Sequence, residues 1–214
     1  MSCADKKLDL CTIGADHWLM IVNLNGWPGA GKLTTARELS KLINGKLLDN
    51  HTLLNVGKAL ARDGSPEFYG LVRAVRSVAF DAILKLPPTV PVIFTNVVAR
   101  GGTSGFLEEN WQAIIDLAQA RKSDLFSVTL TCSSVENARR IVGADRALLG
   151  KRQDPELLVE LANTRALFDD GAKFCLTIDN SDLSPIETAS KIHGWIDGLT
   201  LSRSSRPDAG SYTP

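Results

Sequence analysis

Apolar residues in this chain gather in short runs separated by stretches of helical period, and that alternation predicts most of its elements. Trp18-Leu19-Met20-Ile21-Val22-Asn23-Leu24-Asn25 has the length and character of a buried strand, and it stops at Gly26. Leu33, Ala36, Leu39 and Leu42-Ile43 then recur at helical spacing until Asn44-Gly45 ends the helix. Lys46-Leu47-Leu48-Asp49 predicts a short second strand that delivers Asp49-Asn50-His51 into a turn, with a short helix to about Arg62. Ser65 suits an N-cap and Pro66 the first helical position. From Phe68 to Leu86 the apolar residues keep a 3.6-residue period, ended by Pro87-Pro88.

Val90–Val98 predicts a third strand, apolar nearly throughout, as a parallel strand covered on both faces must be. A glycine-rich exit at 100–105 leads into a helix holding Phe106, Trp111, Ile114-Ile115 and Leu117-Ala118. Leu125–Cys132 predicts a fourth strand, and Ser133-x-x-Glu136 is a capping-box signature for the helix after it. Asp154-Pro155-Glu156 opens another helix, Lys173–Ile178 predicts a fifth strand, and Ser184-Pro185-Ile186-Glu187 caps a last helix ending near Leu199. Strands alternating with helices imply an α/β domain over residues 17–200 with a parallel sheet. Residues 1–16 read as a flexible leader, and 201–214, rich in Ser, Arg, Pro and Gly, as a disordered tail.

The 214 residues suffice for one core with a small lid. With 24 basic and 24 acidic side chains, overall charge offers no reason to expect nucleic acid or an anionic membrane as partner. No apolar run approaches a membrane span and the first residues lack a secretion-type segment, so a cytoplasmic protein is expected. Cys3, Cys11, Cys132 and Cys175 lack metal-type spacing; reduced thiols are expected, with Cys132 and Cys175 buried in their apolar runs.

Chemistry enters at Gly26-Trp27-Pro28-Gly29-Ala30-Gly31-Lys32-Leu33-Thr34. The spacing Gly26-x4-Gly31-Lys32 fits the Walker A pattern, in which small residues let backbone N–H groups turn toward a polyphosphate and lysine reaches its oxygens. The helix that follows contributes free N–H groups and the positive end of its dipole. Leu33 departs from that pattern: a Ser or Thr hydroxyl belongs there for Mg²⁺, and Thr34, one place later, is turned by about 100° around the helix.

In such a sheet ligands bind at the carboxyl ends of the strands. Asp49 stands there as a general base for a hydroxyl or an anchor for Mg²⁺ and its water, or else as a turn-former or N-cap. His51 is a candidate substrate contact or a local structural residue. Asn96 and Arg100 follow strand three, and Asn96 falls where many such proteins place an acid. Arg139, Arg140, Arg146, Lys151 and Arg152 lie in a glycine-broken segment, 139–153, that reads either as a lid closing over transferring phosphate or as a solvated helix face. Arg62, Arg73 and Arg76 are further candidate cations.

The loop from Gly26 to Thr35, Asp49-Asn50-His51, the arginine segment with Asp154-Pro155-Glu156, and the closing strand with Asp179 together resemble the P-loop kinase group that includes shikimate kinase, adenylate kinase and chloramphenicol phosphotransferase. The loop is most similar to those of shikimate-kinase-like ATPases that also read Gly-Lys-Leu-Thr. The resemblance implies a P-loop NTPase fold with strand order 2-3-1-4-5, ATP with Mg²⁺, Lys32 on the phosphates, Asp49 near the acceptor and lid arginines over the nucleotide. It implies a kinase that moves the γ-phosphoryl group of ATP to the hydroxyl of a small molecule. Leu33 and the missing acid at Asn96 instead favour a nucleotide-binding regulatory protein or weak ATPase. The absence of an Asn-Lys-x-Asp run favours ATP over GTP.

Overall fold

The computed structural model describes residues 19–102, 104–143 and 154–204. In chain order the elements are β1 (Met20–Asn25), α1 (Lys32–Leu42), β2 (Lys46–Asp49), α2 (Asn50–Leu60), α3 (Pro66–Leu84), β3 (Val92–Thr95) and β4 (Ala99–Arg100). They continue with α4 (Phe106–Ala120), β5 (Asp124–Thr131), α5 (Ser134–Ile141), α6 (Pro155–Thr164), β6 (Ala166–Leu167), β7 (Phe174–Asp179) and α7 (Pro185–Ser204).

Five strands form one parallel sheet in the order β2-β3-β1-β5-β7. Counting only those five, this is the expected order 2-3-1-4-5. β1 is central and all six of its residues are buried. Its side chains alternate between two cores, as the two-residue period of a strand requires. Val22 and Leu24 pack with Ala36, Leu39, Phe126, Ile192 and Ile196 against α1 and α7, whereas Ile21 joins Phe94, Trp111, Ile114 and Leu117 on the α4 face. A smaller cluster of Leu53, Phe68, Val72 and Phe106 ties α2 and α3 to α4.

The caps largely follow the sequence. Ser65 Oγ accepts from Phe68 N with Pro66 opening α3, and Asp154 accepts from Glu156 N at the start of α6. At α7 the capping box is reciprocal: Ser184 Oγ accepts from Glu187 N, and Glu187 accepts from Ser184 N. At α5 only half of the box forms. Ser133 Oγ accepts from Glu136 N, but Ser133 N donates to Ser181 Oγ, because the Glu136 carboxylate is taken by two arginines.

Three expectations are corrected. The third strand does not run from Val90 to Val98: it ends at Thr95, because the Asn25 side chain takes both backbone groups of Val98. The chain then turns aside to form β4, which pairs antiparallel with β6. Cys175 is exposed and Cys132 only half-buried, both as free thiols; β7 is the sheet's edge, so its apolar run is not covered on both faces. The last helix extends past Leu199 to Ser204, into the stretch expected to be tail. The leader at 1–16 and residues 205–214 lie outside the described residues, as does 144–153 of the expected lid. Among the described residues no helix is long and apolar enough to cross a membrane.

Arg121 closes the connection from α3 to β3. It is buried, and its guanidinium donates to the carbonyls of Ile83 (3.0 Å), Pro87 (2.8 Å), Pro88 (3.3 Å) and Val90 (2.7 Å). The Ile83 and Pro87 carbonyls also accept backbone N–H groups of the turn, and the planar, multi-donor guanidinium gathers all four carbonyls around one group. Arg121→Met keeps the bulk but removes these buried donors; urea denaturation is expected to show a loss of about 2–3 kcal/mol.

Candidate active site

At the carboxyl end of β1 the chain must turn sharply and keep its amides clear of side chains. Gly26 has φ 143°, and a Cβ on it would lie 2.5 Å from the Leu130 carbonyl oxygen, so a neighbouring strand passes too close for any other residue. Gly29 has φ 90° and packs its backbone directly on the Asn137 side chain. The loop leads into α1, whose N-cap is Gly31, with no side-chain cap and no acid in the first turn. A helix start built this way leaves its positive end for an external anion.

Three amides hold the loop in place. The Asn25 side chain accepts from Gly26 N at 2.8 Å and donates to the carbonyls of Val98 and Phe168. Asn180, buried at the end of β7, donates to the Ala30 carbonyl at 2.9 Å and accepts from Arg140 Nη1 at 2.9 Å. Asn137 supports Gly29 from behind. Lys32 Nζ donates to the carbonyls of Gly26 (2.5 Å) and Trp27 (2.9 Å), so its ammonium sits at the mouth of the loop.

A cavity of about 810 Å³ opens over the loop. Pro28, Gly29, Gly31, Lys32, Leu33 and Thr34 line it, and so do Asp49, Asn50 and His51 from the end of β2 and the start of α2. Gly26 and Ala30 are buried behind it, and Trp27 is half-buried. Asp49 occupies the N-cap position of α2 without capping it, since its side chain makes no hydrogen bond to the helix's amides. Its carboxylate instead accepts from the Thr95 hydroxyl, across the β2–β3 register, and Thr95 Oγ1 accepts from Asn50 N at 3.4 Å. The N-cap alternative for Asp49 is therefore not what its side chain does.

The arginines separate. Arg140 lines the cavity, and its guanidinium is fixed by Glu136, Asn180 and the Ser181 carbonyl. Arg139 does not: its side chain is 73% exposed and pairs with Glu136. Consecutive helix residues point about 100° apart, so one face cannot present both to the same cleft. Hydrogen bonds from Arg139 and then Arg140 hold the Glu136 carboxyl down at about 2. Arg146 lies outside the described residues. Arg100 turns away, pairing with Asp170 and stacking over Phe168, and Arg62 is exposed and not in the lining. Arg73 and Arg76 pair with Glu109 and lie over the Phe106 ring.

Among the described residues, few side-chain oxygens near the loop are offered to a magnesium ion, and the Asp49 carboxylate, one expected anchor, accepts from Thr95. Leu33 offers no oxygen from its side chain, and the Thr34 hydroxyl donates to its own Gly31 carbonyl at 2.8 Å. Asn96 lines the cavity, but its side-chain amide donates to Asn23 and accepts from Asn110, inside a ladder that ends on Arg76. Among the described residues no three His, Cys, Asp or Glu side chains gather where they could hold a metal.

Thr95, Asn25, Asn137 and Asn180 are site-building residues that sequence reading missed. A signal existed for Asn25: an amide in an apolar strand run must find partners if it is buried. For Thr95 and Asn180 only the fold brings the partner within reach.

No protein-family model matches the sequence, and no curated protein does either. Solved structures do match. A candidate kinase from Chloroflexus aurantiacus superposes with a TM-score of 0.62 at 15% identity, over 88% of this chain and 99% of that one. A gluconokinase from Sinorhizobium meliloti gives 0.56 at 15% identity, covering 89% and 99%. A shikimate kinase from Bacteroides thetaiotaomicron gives 0.52 at 16%, covering 83% and 98%. The chain has the fold of the P-loop kinase group.

Replacing Gly29 by Ala forces a Cβ into Asn137 at a backbone angle that disfavours one, and thermal unfolding of Gly29→Ala is expected to show a loss of about 1–3 kcal/mol. Adding Asn137→Ala should restore part of that loss and leave the backbone strain.

Proposed function

We propose that this protein is a small-molecule kinase that transfers the γ-phosphoryl group of ATP to a hydroxyl. The observation that carries the reading is that one cavity is lined both by the glycine loop with Lys32 and by the Asp49 carboxylate. A phosphate held on the loop amides and an acceptor beside Asp49 would then share one space. The fold shared with a gluconokinase and a shikimate kinase supports the same class of reaction.

In this reading the loop amides, the start of α1 and Lys32 bind the phosphates, and Arg140 adds positive charge on the same side. Transferring phosphoryl groups carry their charge on the outer oxygens, so fixed cations and dipoles are the main source of stabilisation. Asp49, oriented by Thr95, takes the acceptor's hydroxyl proton while the acceptor oxygen bonds to the γ-phosphorus. The bond from that phosphorus to the bridging oxygen breaks, and ADP leaves. Arg139 is assigned no contact with the nucleotide; its role is to share Glu136. Magnesium would arrive on the nucleotide's own phosphates and water.

A second reading, a nucleotide-binding regulatory protein or weak ATPase, is favoured by Leu33 and by the amide at Asn96 in place of an acid. The two readings separate on transfer to an acceptor. Phosphorylation of a hydroxyl compound, followed by phosphorus NMR, is expected to fall by at least about a hundredfold in Lys32→Ala and in Asp49→Asn. Transfer undiminished in Lys32→Ala would overturn the kinase reading, and nucleotide binding without any transfer would favour the second. Leu33→Ser, which restores the missing hydroxyl, is expected to lower the magnesium concentration at half-maximal activity.

A further inference from the structure

The cavity continues away from the loop between α2, α3 and α4. Leu54, Phe68, Tyr69, Phe106 and Leu107 line that part. Tyr69 is half-buried and packs against two rings, at 4.7 Å from the Phe106 centroid and 5.2 Å from that of Phe68. The wall is therefore a packed aromatic surface rather than a set of mobile side chains.

Charge is divided unevenly over the same cavity. The loop, α1 and α5 contribute Lys32, Arg37 and Arg140. From β2 to α4, the charged lining residues among those described are Asp49, Lys58 and Asp63. Among the described residues no arginine lines that side: Arg62 is exposed and outside the lining, and Arg73 and Arg76, which lie on α3, are directed to Glu109, with Arg76 also donating to Asn110. Recognition of a carboxylate usually rests on a guanidinium fork, and here the two guanidiniums of α3 already have a carboxylate of their own. An anionic acceptor would meet two aspartates and one lysine.

We infer that the acceptor is a non-anionic alcohol with an apolar or aromatic body, seated against Tyr69 and Leu54 with its hydroxyl toward Asp49, rather than a hydroxy acid. This rests on the phosphotransfer reading for the hydroxyl's direction; the preference for a ring rests on the wall, and that for an uncharged ligand on the charged groups around it. Burying a phenyl group there is worth at least about tenfold in affinity, and a carboxylate beside like charges is disfavoured by a similar factor.

Four compounds separate the two features: phenylpropanediol, phenyllactate, glycerol and glycerate. Their binding to the full chain by saturation-transfer NMR, and their phosphorylation with ATP, are measured in parallel. Phenylpropanediol is expected to bind at least about tenfold more tightly than phenyllactate and than glycerol. Tyr69→Ser, at a half-buried wall position, is expected to remove the preference for the ring while circular dichroism stays unchanged. Phenyllactate or glycerate binding as well as its alcohol counterpart overturns the inference, and so does a ring preference that survives Tyr69→Ser. If the expected order appears in binding but no compound is phosphorylated, the kinase reading fails and the inference about the pocket stands. If transfer occurs but prefers the acids, the reverse holds.

Discussion

A glycine loop is useful only if something other than its own side chains fixes its shape, and here buried amides do so. Asn25 binds the first amide of the loop while satisfying Val98 and Phe168, and Asn180 binds the Ala30 carbonyl while holding Arg140. Each joins the loop to a segment far away in sequence. Hydrogen bonds of this kind contribute modestly when made but are costly when broken in a dry interior, so the loop geometry is tied to the integrity of the sheet.

The same constraint explains the architecture around the loop. Because Asn25 captures Val98, strand β3 stops early and the chain leaves the sheet at Asn96, so a polar ladder rather than a continued strand lies beneath the cavity. Because Asn180 captures Arg140, that arginine is held at the loop instead of swinging free, and Glu136, already committed to it, cannot complete its capping box. The tuning of Glu136 is a consequence of this arrangement.

The two walls of the cavity have different characters. On the loop side small residues, an uncapped helix start and fixed cations make a wall suited to an anion. On the α2–α4 side packed rings and leucines dominate, with arginines drawn off by Glu109. The two walls therefore suit different chemistries, an anion on one side and an apolar body on the other.

The sequence by itself determined the strand–helix alternation, the order of the five sheet strands through the likeness to P-loop kinases, and the position of the glycine loop. These depend on local periodicity and on backbone needs that only small residues meet, and both can be read over a dozen residues. Only the tertiary structure decided that Asp49 turns to Thr95 rather than capping α2, that Arg140 and not Arg139 meets the cavity, and that Arg73 and Arg76 are spent on Glu109. It also decided that the apolar run of β7 lies at an exposed edge, leaving Cys175 uncovered. In each case the outcome depends on which partner, forty or more residues away or on another helix, the fold brings within hydrogen-bonding distance or leaves out, and no local pattern encodes that distance.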